Sequence, residues 1–192
     1  MNKYVPFKQS RIIPTSILLF MMGFLVSFLP EENWTLLWFN FLLAALCSVI
    51  FFILWRLHRG RSKRYFSLLS YIMLNALTVY FSIPIFRLIY GTIAFWVCVV
   101  ILATMIFLPY LYAEEMAVGI NQPQKSKLGK IYTIFAPLLI IFGGFIYMGS
   151  LSTSNPDALF IAIFLFLGAV LFLCISPVLL IQPQRMKELE RK

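Results

Sequence analysis

Long apolar runs separated by short polar intervals dominate the chain. They cover about residues 12–29, 33–55, 65–83, 89–113, 131–150 and 157–180. None alternates apolar with polar positions as a barrel strand would, so helices are predicted throughout. From Tyr65 to Ala113 there is one charge, Arg87. As a single helix that run would reach about 73 Å at about 1.5 Å per residue, more than twice the ~30 Å hydrocarbon thickness. It is therefore predicted to fold as two spans broken at Ser82-Ile83-Pro84, because the residue before a proline is pushed out of the helical region. The interval 114–130, with Gly119, Pro123 and Gly129 among its charges, is predicted to be a polar loop. At the start of the last run, Asn155 is placed to cap a helix, with Pro156 in its first position and Asp157 in its first turn.

Composition turns this pattern into a membrane protein. The 192 residues are 61% hydrophobic and 12% charged, where a soluble domain would carry roughly 25% charged residues. With no water in the bilayer interior, each span must satisfy its own backbone groups, and helices do so. The expected fold is all-α, a single polytopic domain over residues 1–192 with six transmembrane helices. The first run is expected to remain as a span, since no small-residue cleavage pattern precedes Glu31.

Charge then sets the expected threading. Arg56, Arg59, Arg61, Lys63 and Arg64 crowd the interval between the second and third runs. Short loops rich in Lys and Arg stay on the cytoplasmic side. From that anchor, six spans leave both termini cytoplasmic. Fifteen of the sixteen Lys and Arg residues then lie in cytoplasmic segments, leaving only Arg87 outside. Tyr4, Tyr65, Tyr110, Tyr112 and Tyr132 fall near the inner face and Tyr80, Tyr90 and Tyr147 near the outer, as aromatic belts do. The expected location is the plasma membrane, with anionic lipid against the inner face. The net charge of +9 comes without any nucleic-acid motif, so no nucleic-acid partner is expected.

Candidate chemistry is sparse. Ionisable side chains within the bilayer mark proton relays and ion pathways, and the interiors of the six runs hold none. His58 is the only histidine, and Cys47, Cys98 and Cys174 sit in three different runs without metal-ligand spacing. No catalytic set, metal or cofactor is expected, and no enzymatic activity.

One polar pattern stands out. Ser67, Tyr71, Asn75, Thr78 and Ser82 recur every three or four residues and fall within about an 80° arc at about 100° per residue. Asn40, Ala44, Cys47 and Ser48 offer a facing edge on the second span, with Asn40 and Asn75 expected at similar depth. Such stripes serve as hydrogen-bonding glue between helices. The sharper alternative is a small outward-opening cavity for a neutral or amphipathic ligand, lined by Asn40, Tyr71, Asn75, Thr78 and Ser82 with Arg87 at the rim. Glu114 and Glu115 are expected to balance Lys125, Lys127 and Lys130 locally. Ala158 and Ala162 give one small-xxx-small spacing, for dimerisation or for packing within the chain.

Two functions fit these features. One is a small permease-like or transport-associated subunit for a neutral or lipophilic ligand. The other is a non-enzymatic scaffold or regulator, partnering a larger membrane complex or a second copy of itself.

Overall fold

The computed structural model describes residues 4–121, 127–152, 158–181 and 185. Among them all regular structure is helical: α1 (Ile12–Ser27), α2 (Trp34–His58), α3 (Ser62–Leu88), α4 (Ile93–Leu111), α5 (Ala113–Asn121), α6 (Lys127–Ser152) and α7 (Ala158–Ile175). A 3-10 turn precedes α1 at Phe7–Gln9, and another follows α7 at Ser176–Leu180. Among the described residues, four stretches are long and apolar enough to cross a membrane: Trp34–His58, Ser62–Leu88, Ile93–Leu111 and Ala158–Leu180. Helix α1, with 16 residues, reaches about 24 Å at about 1.5 Å per residue and is shorter than each of those four. Large apolar side chains such as Trp38, Ile93 and Phe107 stand exposed on the outer faces. In water such a surface would drive association; hydrocarbon suits it.

Helix α3 is the hub, packed against α1, α2, α7 and the turn that follows α7. Its two arginines clip the carbonyl ends of its neighbours. Near its start, Arg64 Nη1 donates to Leu180 O at 2.8 Å, and Ser67 Oγ donates to Leu179 O. Near its end, Arg87 Nη1 donates to Leu29 O at 2.6 Å, just past α1. The last carbonyls of a helix lack partners within it and carry partial negative charge, so a guanidinium there satisfies both needs.

The α1–α2–α3 junction is closely packed. Asn40, fully buried in α2, donates through Nδ2 to Ser27 Oγ at 2.9 Å and to Gly23 O at 3.2 Å, both on α1. Tyr80 of α3 donates through its hydroxyl to Asn40 O at 2.9 Å. Gly23 makes this crossing geometrically feasible, because a Cβ there would meet Asn40 Cβ at 3.2 Å and the Tyr80 ring at 3.4 Å. Small residues that let backbones approach, together with buried polar bonds, hold helices together where lipid supplies no hydrophobic drive.

The bundle has two distinct ends. At one, Val5 N donates to Arg59 O at 2.9 Å, Trp55 Nε1 to Val5 O at 3.0 Å, and Tyr65 Oη to Ser10 O at 2.7 Å. Arg185 pairs there with Glu114 through two bonds, of 2.8 and 3.1 Å. At the other lie the α1–α2 turn, where Asn33 caps α2 by accepting from Leu36 N, and the α3–α4 turn.

Several expectations change. Pro84 does not end the third span: α3 continues to Leu88 with Pro84 buried inside it. A proline removes the hydrogen bond its own N–H would give four residues back and crowds that carbonyl, and neighbouring packing in a helical bundle absorbs both effects. The chain turns instead at Tyr90-Gly91-Thr92, where Gly91 adopts φ 80°. The basic interval shrinks to Arg59-Gly60-Arg61, because α2 runs to His58 and α3 starts at Ser62. Residues 113–121 form α5 rather than a loop, with Met116 and Ala117 buried. Glu114 pairs with Arg185, while Lys125 and the Lys127 side chain, part of its expected local balance, lie outside the described residues. Ala162 packs within the chain, beside Ile85 and Phe166. The expected cap at Asn155-Pro156-Asp157 lies outside the described residues.

Candidate functional site

Helix α4 is loosely held, with Pro109 its only buried residue. It is tied to α3 at both ends. Phe95, near its start, sits edge-on to Phe86 with ring centroids 5.4 Å apart and to Tyr90 at 5.7 Å. Near its finish, the Tyr110 and Tyr71 hydroxyls share a hydrogen bond of 2.7 Å. Between these ties the two helices stand apart, and the gap is a cavity of about 690 Å³. That volume falls in the range of pockets that hold drug-sized ligands, about 300–1,000 Å³.

Its walls come from three helices. Thr78, Val79, Ser82, Ile83, Phe86 and Arg87 line it from α3, with Tyr90 just beyond. Phe95, Leu102 and Ile106 face them from α4, and Leu173 of α7 completes the lining. The wall is apolar except for a few groups on the α3 side.

Those polar groups have restricted chemistry. Thr78 Oγ1 donates to Leu74 O at 2.9 Å and Ser82 Oγ donates to Thr78 O at 2.7 Å. Each hydroxyl has one hydrogen and two lone pairs, so both hydrogens are committed to the helix and only acceptor capacity faces a guest. Arg87 is the opposite case. A guanidinium has five N–H donors, and the bonds recorded for this one, to Leu29 O and more weakly to Ser27 O at 3.5 Å, both use Nη1.

Thr78, Ser82 and Arg87 of the sequence-derived set thus share one cavity. Tyr71 and Asn75 do not line it: Tyr71 forms the tie to Tyr110, and Asn75 Nδ2 donates to Tyr71 O on its own helix at 2.8 Å. Asn40 faces α1, so the expected pairing of its edge with the α3 stripe is replaced by the junction with Gly23 and Ser27. The stripe looks towards α7 and α4 instead. Phe86, Phe95, Leu102, Ile106 and Leu173 carry no sequence signal of their own, since apolar residues occupy most positions of every span. Among the described residues, no group of three or more His, Cys, Asp or Glu is arranged to hold a metal ion. Comparison with protein-family models, with curated proteins and with solved structures finds no match to this chain.

Proposed function

We propose that the chain is a six-span protein of the plasma membrane, with both termini and the basic end in the cytosol, and that it binds a lipophilic ligand as a small permease-like or transport-associated subunit. The observation that carries this reading is the cavity beside α3: about 690 Å³, apolar, and walled on one side by α4, a helix that buries only Pro109. Among the described residues, ionisable groups that would drive ion or proton coupling are missing from its lining except for Arg87. A guest held by apolar walls and a few acceptors is one that partitions into the bilayer.

A photoactivatable lipophile offered to the protein in lipid nanodiscs tests the reading. Crosslinks are expected to concentrate on Val79, Ile83, Leu102 and Ile106. Crosslinks spread evenly over lipid-facing residues such as Trp38 and Phe107 would reject it.

A second reading draws on the basic end. Three arginines there lie over aromatic rings: Arg11 over Phe66 at 5.4 Å, Arg56 over Phe52 at 5.4 Å and Arg59 over Tyr4 at 5.9 Å. A cationic face held in this way would dock a larger membrane complex or anionic headgroups, making the protein a scaffold or regulator.

A further inference from the structure

Resting on the cavity reading above, we infer that the ligand is a single-chain amphiphile with an anionic headgroup, its acid seated on Arg87 and its chain running down α3 towards Thr78. The first support is charge. Arg87 lines the cavity, yet among the described residues no carboxylate lies within ion-pair distance of it; the one ion pair there joins Arg185 to Glu114. Glu31 and Glu32 occupy the adjacent α1–α2 turn but are exposed. A cation beside an apolar space, without an anion of its own, fits a ligand that brings one.

Geometry narrows the class further. Nη1 is the atom that clips Leu29 O and Ser27 O, which fixes the guanidinium plane and leaves Nε and Nη2 as its other donors. A pre-oriented edge of that kind suits two parallel bonds to a carboxylate or phosphate. From Arg87 the lining descends through Ile83 and Val79 to Thr78. Nine residues of helix span about 13 Å, under half of the ~30 Å hydrocarbon core. The depth suits one short to medium acyl chain. Thr78 and Ser82 present only acceptor lone pairs, so they attract no second acidic group and the charge stays at the mouth.

The test uses the full chain in nanodiscs of neutral phosphatidylcholine at about pH 8, well above the ordinary carboxyl pKa of about 4. Lauric acid and its methyl ester are titrated against the wild-type protein. The acid is expected to bind at least tenfold more tightly than the ester. Arg87→Gln is expected to abolish that preference, so that acid and ester bind the variant with similar affinity. Since Arg87 also holds the α1–α2 turn, Arg87→Lys is measured alongside and is expected to keep most of the preference.

Equal binding of acid and ester to the wild type would overturn the headgroup assignment and leave the lipophile site standing. Binding of neither would overturn the site itself, and this inference with it. Displacement of bound lauric acid by phosphatidylglycerol added to the disc, at equal mole fraction, would overturn the single-chain assignment in favour of a bilayer lipid. No displacement supports it.

Discussion

Ser82→Trp is expected to weaken lipophile binding about 50-fold while leaving the bundle folded. Ser82 lines the cavity from α3, and its hydroxyl bonds only to the carbonyl one turn back on the same helix. Losing that local bond costs the fold little, because such bonds compete with the helix ladder rather than add to it. An indole at this position occupies space that would otherwise hold about three methylenes of a guest. At about 0.8 kcal/mol per buried CH₂, that is about 2.4 kcal/mol, or about 50-fold in affinity. Ile106→Trp, reaching across from α4 at a position 46% exposed, is expected to give a similar loss from the opposite wall. Titration of a fluorescent fatty acid, with a thermal melt as the folding control, checks both. Unchanged affinity in two well-folded variants would mean that the guest sits elsewhere.

Gly23→Ile is expected to have the largest effect on stability, a loss of about 3 kcal/mol, at the upper end of what overpacking a buried site costs. Any Cβ at Gly23 meets Asn40 Cβ at 3.2 Å and the Tyr80 ring at 3.4 Å, and these neighbours are themselves hydrogen-bonded in place. Relief therefore requires α1 to move away, which lengthens the bonds from Asn40 to Gly23 O and Ser27 Oγ. The control is Gly144→Ile on α6, where an added Cβ meets nothing within 4 Å. That change is expected to alter stability by less than about 0.5 kcal/mol, as unremarkable surface substitutions do. Reversible unfolding in mixed micelles with increasing dodecyl sulfate compares the two. Equal losses would remove the junction from its place at the centre of the bundle.

The helical pattern was readable because each apolar run is long and bounded by charges, turn residues or prolines. What periodicity could not supply was the neighbour. Ser67, Tyr71, Asn75, Thr78 and Ser82 were legible as one face of α3, but not that α7, about a hundred residues later in the chain, would take that face. Nearness in sequence suggested α2 and so misplaced Asn40, whose side-chain partners lie on α1. Pro84 misled for a physical reason: in water a mid-helix proline is a strong breaker, whereas in a packed bundle its one lost hydrogen bond is absorbed. Gly91, with its positive φ, was the better mark of the turn. Helix α5 was hidden because glutamates and a glycine outweighed the apolar spacing of Met116, Ala117 and Ile120. The apolar lining of the cavity was invisible in a chain that is 61% hydrophobic.

Both the cavity's outward mouth and the placement of the basic end depend on which way the bundle faces. Cysteine labelling from outside intact cells decides this most directly, in a background where Cys47, Cys98 and Cys174 are replaced by alanine. Single cysteines are placed at exposed turn positions: Glu32→Cys and Thr92→Cys at the end near Arg87, and Gly60→Cys at the basic end, where nothing lies within 4 Å. An impermeant maleimide is expected to label the first two in intact cells and the third only after the membrane is opened. Labelling of Gly60→Cys in intact cells, with Glu32→Cys and Thr92→Cys protected, would invert the protein and contradict the outward-facing site.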